Sequence, residues 1–262
     1  MSEHKMTEHS QNQNRILITG AARRVGAALA EALAADGWPL VLHYNRNHKE
    51  AAILAERLAD DFGIEVTLMQ ADLADPEACQ EMMAEVLANG PLGGLINNAS
   101  RFGYDSATDF KPDEIAQHMA VNLTAPALLT QAYAKALSAD EKGHVINMLD
   151  AKLFGLNPDY FTYTLSKAAL HNLTLISAQA FAPQLRINAI APGIILPSGP
   201  QDEAAFQLAH RRNPLNQGAD IQEIVAAMRF LLCARSITGE VIVIDGGLHL
   251  NPPSRDVAFL DD

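Results

Sequence analysis

Short apolar runs alternate with longer amphipathic stretches along nearly the whole chain. RILIT (Arg15 to Thr19) is an apolar run of strand length, closed by Gly20. RRVGAALAEALAA (Arg23 to Ala35) follows, with Val25, Leu29 and Leu33 at the four-residue spacing of a helix face, and Gly37 and Pro39 end it. The pair then recurs. Strands are predicted over Leu40 to Tyr44, Ile64 to Gln70 and Leu92 to Asn97, and helices over His48 to Asp61, Pro76 to Leu87 and Pro112 to Leu137, with Asn122 marking a candidate break in the last. HVINML predicts a fifth strand and TYTLSKAAL a helix behind it. Leu185 to Ala191 and Glu240 to Ile244 supply the sixth and seventh strands, the last reached through a helix from Ile221 to Ala234.

Strands separated by helices of crossover length form a parallel sheet covered on both faces. The expected fold is therefore α/β, a Rossmann-type doubly wound parallel sheet of seven strands, in a single domain over residues 15–262. The polar opening, MSEHKMTEHSQNQN, has no apolar core and is read as a disordered tail over 1–14, neither signal peptide nor membrane span. Pro197 to Pro214 interrupts the alternation; it is either a mobile lid or a solvent-facing connection.

The 48% apolar and 19% charged residues among 262 are ordinary for a globular chain and add little. The net charge of −12 argues against nucleic-acid and anionic-membrane partners. Two cysteines, Cys79 and Cys233, lie in helix-like segments and fit a reducing, cytoplasmic setting. Nine histidines without an HxxxH or a CxxC give no reason to expect a metal.

Candidate chemistry centres on Tyr163 and Lys167, four apart on one helix and so on one face. A lysine ammonium beside a phenol lowers the phenol's pKa and makes it usable as an acid or base near neutrality. Asp150, thirteen residues before Tyr163, stands at the carboxyl end of the fifth strand, where open α/β sheets place ligands. At the first strand–helix junction, Gly20 and Gly26 allow a tight turn and a close approach of backbone to a pyrophosphate. The second strand ends LVLHYNRN without an acidic residue to meet a ribose 2′-hydroxyl. Arg46 stands there instead, with Arg23 and Arg24 in the glycine turn, a set suited to a 2′-phosphate and hence to NADPH. Asp72 and Leu73 follow the third strand beside an adenine position, and Asn97, Asn98 and Ala99 end the fourth on the nicotinamide side.

The ordered set TGAARRVG, ADL, NNAS, AVNLTAP, YTLSK, INAIAPGII and VIDGG resembles the short-chain dehydrogenase/reductase family from residue 16 to 247. Arg24, HYNR, NNASRF and the aspartate in NMLDA resemble, more narrowly, the pteridine reductases and bacterial dihydromonapterin reductases. The resemblance implies that Tyr163 donates a proton, that Lys167 lowers its pKa and holds the nicotinamide ribose, and that Asn122 supports the lysine through a water. It implies cofactor contacts from Val25, His43, Tyr44, Asn45, Ser100, Pro192, Gly193 and Ile195, and substrate contacts from Ser100, Phe102 and Tyr160. It also implies a homotetramer or homodimer. Most of the family carries serine at the position of Asp150, and no serine occurs between 143 and 165. The stretch Pro197 to Pro214 departs from the parasite pteridine reductases.

The aspartate bears on the substrate without any family argument. A serine donates to a developing oxyanion, whereas an ionised aspartate opposes one and favours a nitrogen that becomes protonated. A protonated aspartate could instead relay a proton. Either way a C=N in a flat heterocycle fits better than a ketone, with Phe102 covering one ring face. The other arrangement turns Asp150 outward and leaves a carbonyl to water or Thr162. Three readings follow: an NADPH-dependent reductase of a pterin-like substrate, a ketone or 3-oxoacyl reductase of the same family, and a non-enzymatic NADPH-binding sensor.

Overall fold

Ile16, Leu17 and Ile18 are fully buried, as a central parallel strand flanked by helices on both faces requires. In the computed structural model, which describes residues 14–195, 203–256 and 259, they belong to β1 (Arg15–Ile18). The further strands are β2 (Leu40–Tyr44), β3 (Val66–Gln70), β4 (Leu92–Asn97), β5 (Gly143–Met148), β6 (Leu185–Pro192) and β7 (Val241–Ile244). All pair in parallel in the order β3-β2-β1-β4-β5-β6-β7. The order reverses between β1 and β4, and the crevice beyond their carboxyl ends is where such sheets bind ligands.

The helices are α1 (Arg24–Ala35), α2 (His48–Phe62), α3 (Pro76–Ala88), α4 (Pro112–Met119), α5 (Ala125–Ala136), α6 (Phe161–Ala180), α7 (Glu203–Arg211) and α8 (Ile221–Cys233). Alternate side chains of each strand point to opposite faces. Ile16 and Ile18 therefore join Leu29, Leu33, Leu54 and Met228 in one apolar layer. Leu17 joins Met83, Leu129, Tyr133 and Ile187 in the other.

The expected elements form with small shifts at their ends. Gly63 ends α2 in the left-handed conformation, so Ile64 and Glu65 are spent on the connection and β3 starts at Val66. The helical region around Asn122 does not break. It passes through one π-helical turn, Ala120–Thr124, between α4 and α5, a distortion frequent at functional sites. The Tyr163 helix extends to Ala180 because Leu170, Thr174, Ser177 and Ala178 keep an inward face. Residues 197–202 of the expected lid, and 1–13 of the expected tail, lie outside the described residues. Among the described residues no helix is long and apolar enough to cross a membrane.

Candidate active site

Asp150 follows the end of β5, and its Oδ1 accepts the Lys152 N–H at 2.9 Å, capping a short 3-10 turn over Ala151–Phe154. Tyr163 lies in the first turn of α6 and is buried. Its hydroxyl donates to Asp150 Oδ2 at 2.8 Å. Lys167, one turn further, is buried as well, and its Nζ donates to the Met148 carbonyl at 2.7 Å.

The electrostatics differ from the expectation drawn from sequence. Lys167 Nζ stands 5.9 Å from the Tyr163 ring centroid and does not bring the phenol down. Burial first, then the charge and hydrogen bond of Asp150, hold Tyr163 well above the ordinary tyrosine range. The Asp150 carboxyl is set deep enough that burial raises its pKa against the opposing Lys152 N–H, Tyr163 and Lys167. Burial lowers Lys167 to about 8, with Asp150 pulling the other way. The site therefore keeps its proton on the phenol, next to an acceptor.

Asn122 is fully buried in the π-helical turn. Its Nδ2 donates to the Arg101 carbonyl and to Ser166 Oγ, each at 2.9 Å. Its Oδ1 accepts the Arg101 N–H at 2.8 Å and Ser100 Oγ at 3.2 Å. Asn122 thus ties the loop after β4 to α6. That loop presents Phe102, whose ring stacks on Tyr160 at 4.6 Å and meets Tyr163 edge-on at 4.8 Å. One face of Phe102, expected to meet a substrate, is thus covered by Tyr160, another predicted substrate residue. Tyr160 holds a left-handed backbone, φ +51°, a strain that persists where surroundings fix it.

At the other end of the crevice the glycine turn is tightly built. A Cβ on Gly26 would stand 2.3 Å from the Gly20 carbonyl and 2.7 Å from Asn98 Nδ2, so only glycine lets α1 approach the strand edge this closely. Asn98 Nδ2 donates to the Thr19 and Gly20 carbonyls at 2.9 and 3.1 Å. Thr19 Oγ1 accepts the N–H groups of Asn98 and Ala99, each at 3.0 Å. Arg24 adopts φ +56°, a conformation that costs a non-glycine residue roughly 1–2 kcal/mol.

The other cofactor-side residues divide into surface and support. Arg23 and Arg46 are exposed, and the Arg23 guanidinium stands 2.9 Å from the Asn47 side-chain amide. Tyr44 pairs with His48 at 2.8 Å, and Asn45 Nδ2 donates to Asp72 Oδ1 at 3.3 Å. Leu73 is buried. Gly193, after Pro192, donates its N–H to Ile244 at 2.8 Å, while Val25 and Ile195 pack against the first apolar layer. His43 is buried, and both its nitrogens are engaged. Nδ1 accepts the Gly20 N–H at 3.1 Å and Nε2 faces the Ala71 carbonyl at 3.2 Å. Burial drives its pKa down to about 4, so a neutral imidazole braces the glycine turn from behind instead of lining the crevice.

Two further groups were not legible in the sequence. Asp105 in the loop after β4 accepts from the Thr162 N–H at 2.9 Å and from the Thr162 hydroxyl, and His118 Nδ1 meets that hydroxyl at 2.8 Å. Asp159, buried just before α6, accepts Arg255 in a bidentate pair at 2.7 to 3.0 Å. Its partner is 96 positions away, and no local pattern signals such a contact. Among the described residues no group of three or more His, Cys, Asp or Glu could hold a metal ion.

The model of the family described as enoyl-(acyl carrier protein) reductase matches residues 20–249. Pteridine reductase 1 of Leishmania tarentolae is 31% identical, over 89% of this chain and 96% of its own. Dihydromonapterin reductase of Enterobacter sp. (strain 638) is 29% identical, over 91% of this chain and 98% of its own. The crystal structure of FolM alternative dihydrofolate reductase 1 from Brucella canis, complexed with NADP, superposes with a TM-score of 0.84 at 38% identity, covering 94% of this chain and 98% of that one.

Proposed function

The chain belongs to the short-chain dehydrogenase/reductase family, and we propose that it uses NADPH to reduce a C=N bond of a pterin-like heterocycle. The observation that carries the substrate class is Asp150, which accepts the Tyr163 hydroxyl at 2.8 Å where most of the family has a serine. The named relatives that act on pterins and folates point the same way.

The crevice fits the cofactor. Gly20 and Gly26 hold the backbone close to the start of α1, whose first N–H groups favour a pyrophosphate. Arg24, Arg46 and Arg23 supply cationic donors for a 2′-phosphate. NADPH, when bound, supplies the hydride that goes to carbon. The chain handles the proton. Tyr163 keeps its hydroxyl hydrogen and delivers it to the substrate nitrogen, and Lys167, on the same helix face, offsets the negative charge left on the phenolate. Asp150 Oδ2, released by the phenol, accepts from the new N–H. A developing oxyanion would meet the same carboxylate as repulsion.

Supplying the purified protein with NADPH or NADH and a panel containing a dihydropterin and a simple ketone tests the reading. NADPH oxidation with the dihydropterin, well above that with the ketone, is expected. Ketone reduction alone would move the protein to the carbonyl reductase class, and binding without turnover would make it a sensor. The homo-oligomer and cytoplasmic setting belong to the same proposal. Exposed Leu165, Leu175 and Ile176 on the outer side of α6 are apolar surface that a second copy would cover.

A further inference from the structure

Residues 252–256, which follow the 3-10 turn Leu248–Leu250, lie against the substrate side of the site. Three separate attachments hold them there. Pro252 packs against Gly155, where an added Cβ would stand 2.7 Å from the proline ring, and Gly155 ends the short turn that Asp150 caps. Arg255 forms the bidentate pair with Asp159, whose side chain is only 4% exposed, and the Asp256 N–H donates to the same carboxylate at 2.7 Å. Lys152, two residues from Asp150, donates to the Asp159 carbonyl and lies 3.7 Å from the Asp256 carboxylate.

An exposed arginine alone would add little. A charge-assisted bidentate pair on a buried carboxylate is different, because detaching the arginine leaves that charge without its partner. Phe259 lies among the aromatic side chains of the site. Its ring centroid is 4.8 Å from Tyr104 and 6.0 Å from Tyr160, and Arg255 sits 5.4 Å from it. The contacts run on from Tyr160 to Phe102 and from Phe102 to Tyr163.

We propose that Phe259, held by the Asp159–Arg255 anchor, is the outer wall of the substrate pocket and selects heterocycles with a short substituent over those extended by an aromatic amide. The choice of heterocycle rests on the function proposed above; the wall itself rests on these contacts. Phe259 is 39% exposed, so its removal trims the pocket mouth without opening the core.

The test compares kcat/KM for two dihydropterins with the same ring, one with a short 6-substituent and one with an aromatic-amide tail. The ratio of long to short should rise about tenfold or more in Phe259→Ala, the scale on which pocket fit discriminates. Asp159→Asn should move the ratio in the same direction. An unchanged ratio in Phe259→Ala overturns the proposal, whatever Asp159→Asn does to folding. If the unmodified protein reduces ketones and no pterin, the proposed function fails on its own. A pair of small and bulky ketones then carries the same comparison, with the same rise expected and the same unchanged ratio overturning the wall.

Discussion

Tyr163 gives its hydroxyl hydrogen to Asp150 across 2.8 Å, and this bond, together with the burial of both groups, keeps the proton on the phenol. Without the carboxylate, a buried phenol near Lys167 could ionise more easily. With it, the phenol's pKa lies well above the ordinary range, first because the phenol is buried and then because ionising it would place two negative charges side by side. Such a site is loaded with a proton before substrate arrives, which suits reduction.

Replacing Tyr163 with phenylalanine removes the only hydrogen in that bond. Turnover should fall by roughly 10²–10⁴-fold, the range for a positioned general acid. NADPH binding, followed by its fluorescence, should persist. An unchanged single-turnover rate would show that another group donates.

Lys167 gives the pH dependence a direction. Its pKa of about 8 means that the ammonium is present below that pH and lost above it. Because Tyr163 titrates far higher, kcat should decline as pH rises through about 8, and Lys167→Met should be slower and flat across that range. Stability should run the other way. Between about 8 and 10.5 the unfolded chain binds more protons at this site than the folded one, so its contribution to stability rises with pH.

Cofactor preference follows from Arg24 and Arg46. Replacing each with alanine should weaken NADPH by roughly ten- to hundredfold, since hydrogen bonds to charged groups contribute about 1.5–3 kcal/mol, and should leave NADH nearly unaffected. Equal dissociation constants for the two cofactors in the unmodified protein would remove the 2′-phosphate role.

His43 predicts acid sensitivity. The unfolded chain takes up a proton near 6.5, while the folded chain resists until about 4. Over that window the unfolded state binds more protons, so stability is full above it and is lost as pH falls, by about 1.4 kcal/mol per pH unit. His43→Gln should be less stable at neutral pH but show a shallower loss in urea melts between pH 7 and 5. A slope equal to that of the unmodified protein would mean that His43 is not held neutral.

The sheet was readable because strands buried on both faces leave unbroken apolar runs, RILI and HVINM among them. Tyr163 and Lys167 were readable because one helix fixes their spacing. Other features depend on burial or on distant chain. The continuous π-helical turn at Asn122 has the same composition as a break. The sense of the Tyr163 shift reverses because the phenol is buried and its hydroxyl is bonded to the aspartate thirteen residues away. His43 has the identity of a cofactor contact but sits behind the turn, bonded to Gly20. Asp159 and Arg255, 96 positions apart, meet only in the folded chain.

Whether Asp150 commits the site to C=N reduction is read from the ratio of kcat/KM for a dihydropterin to that for a simple ketone, in the unmodified protein and in Asp150→Ser. A high ratio is expected in the unmodified protein. In the serine variant it should fall, because pterin turnover loses its acceptor while ketone turnover holds or improves with a hydroxyl that can donate to the oxyanion. A ratio that stays the same or rises in Asp150→Ser would contradict it.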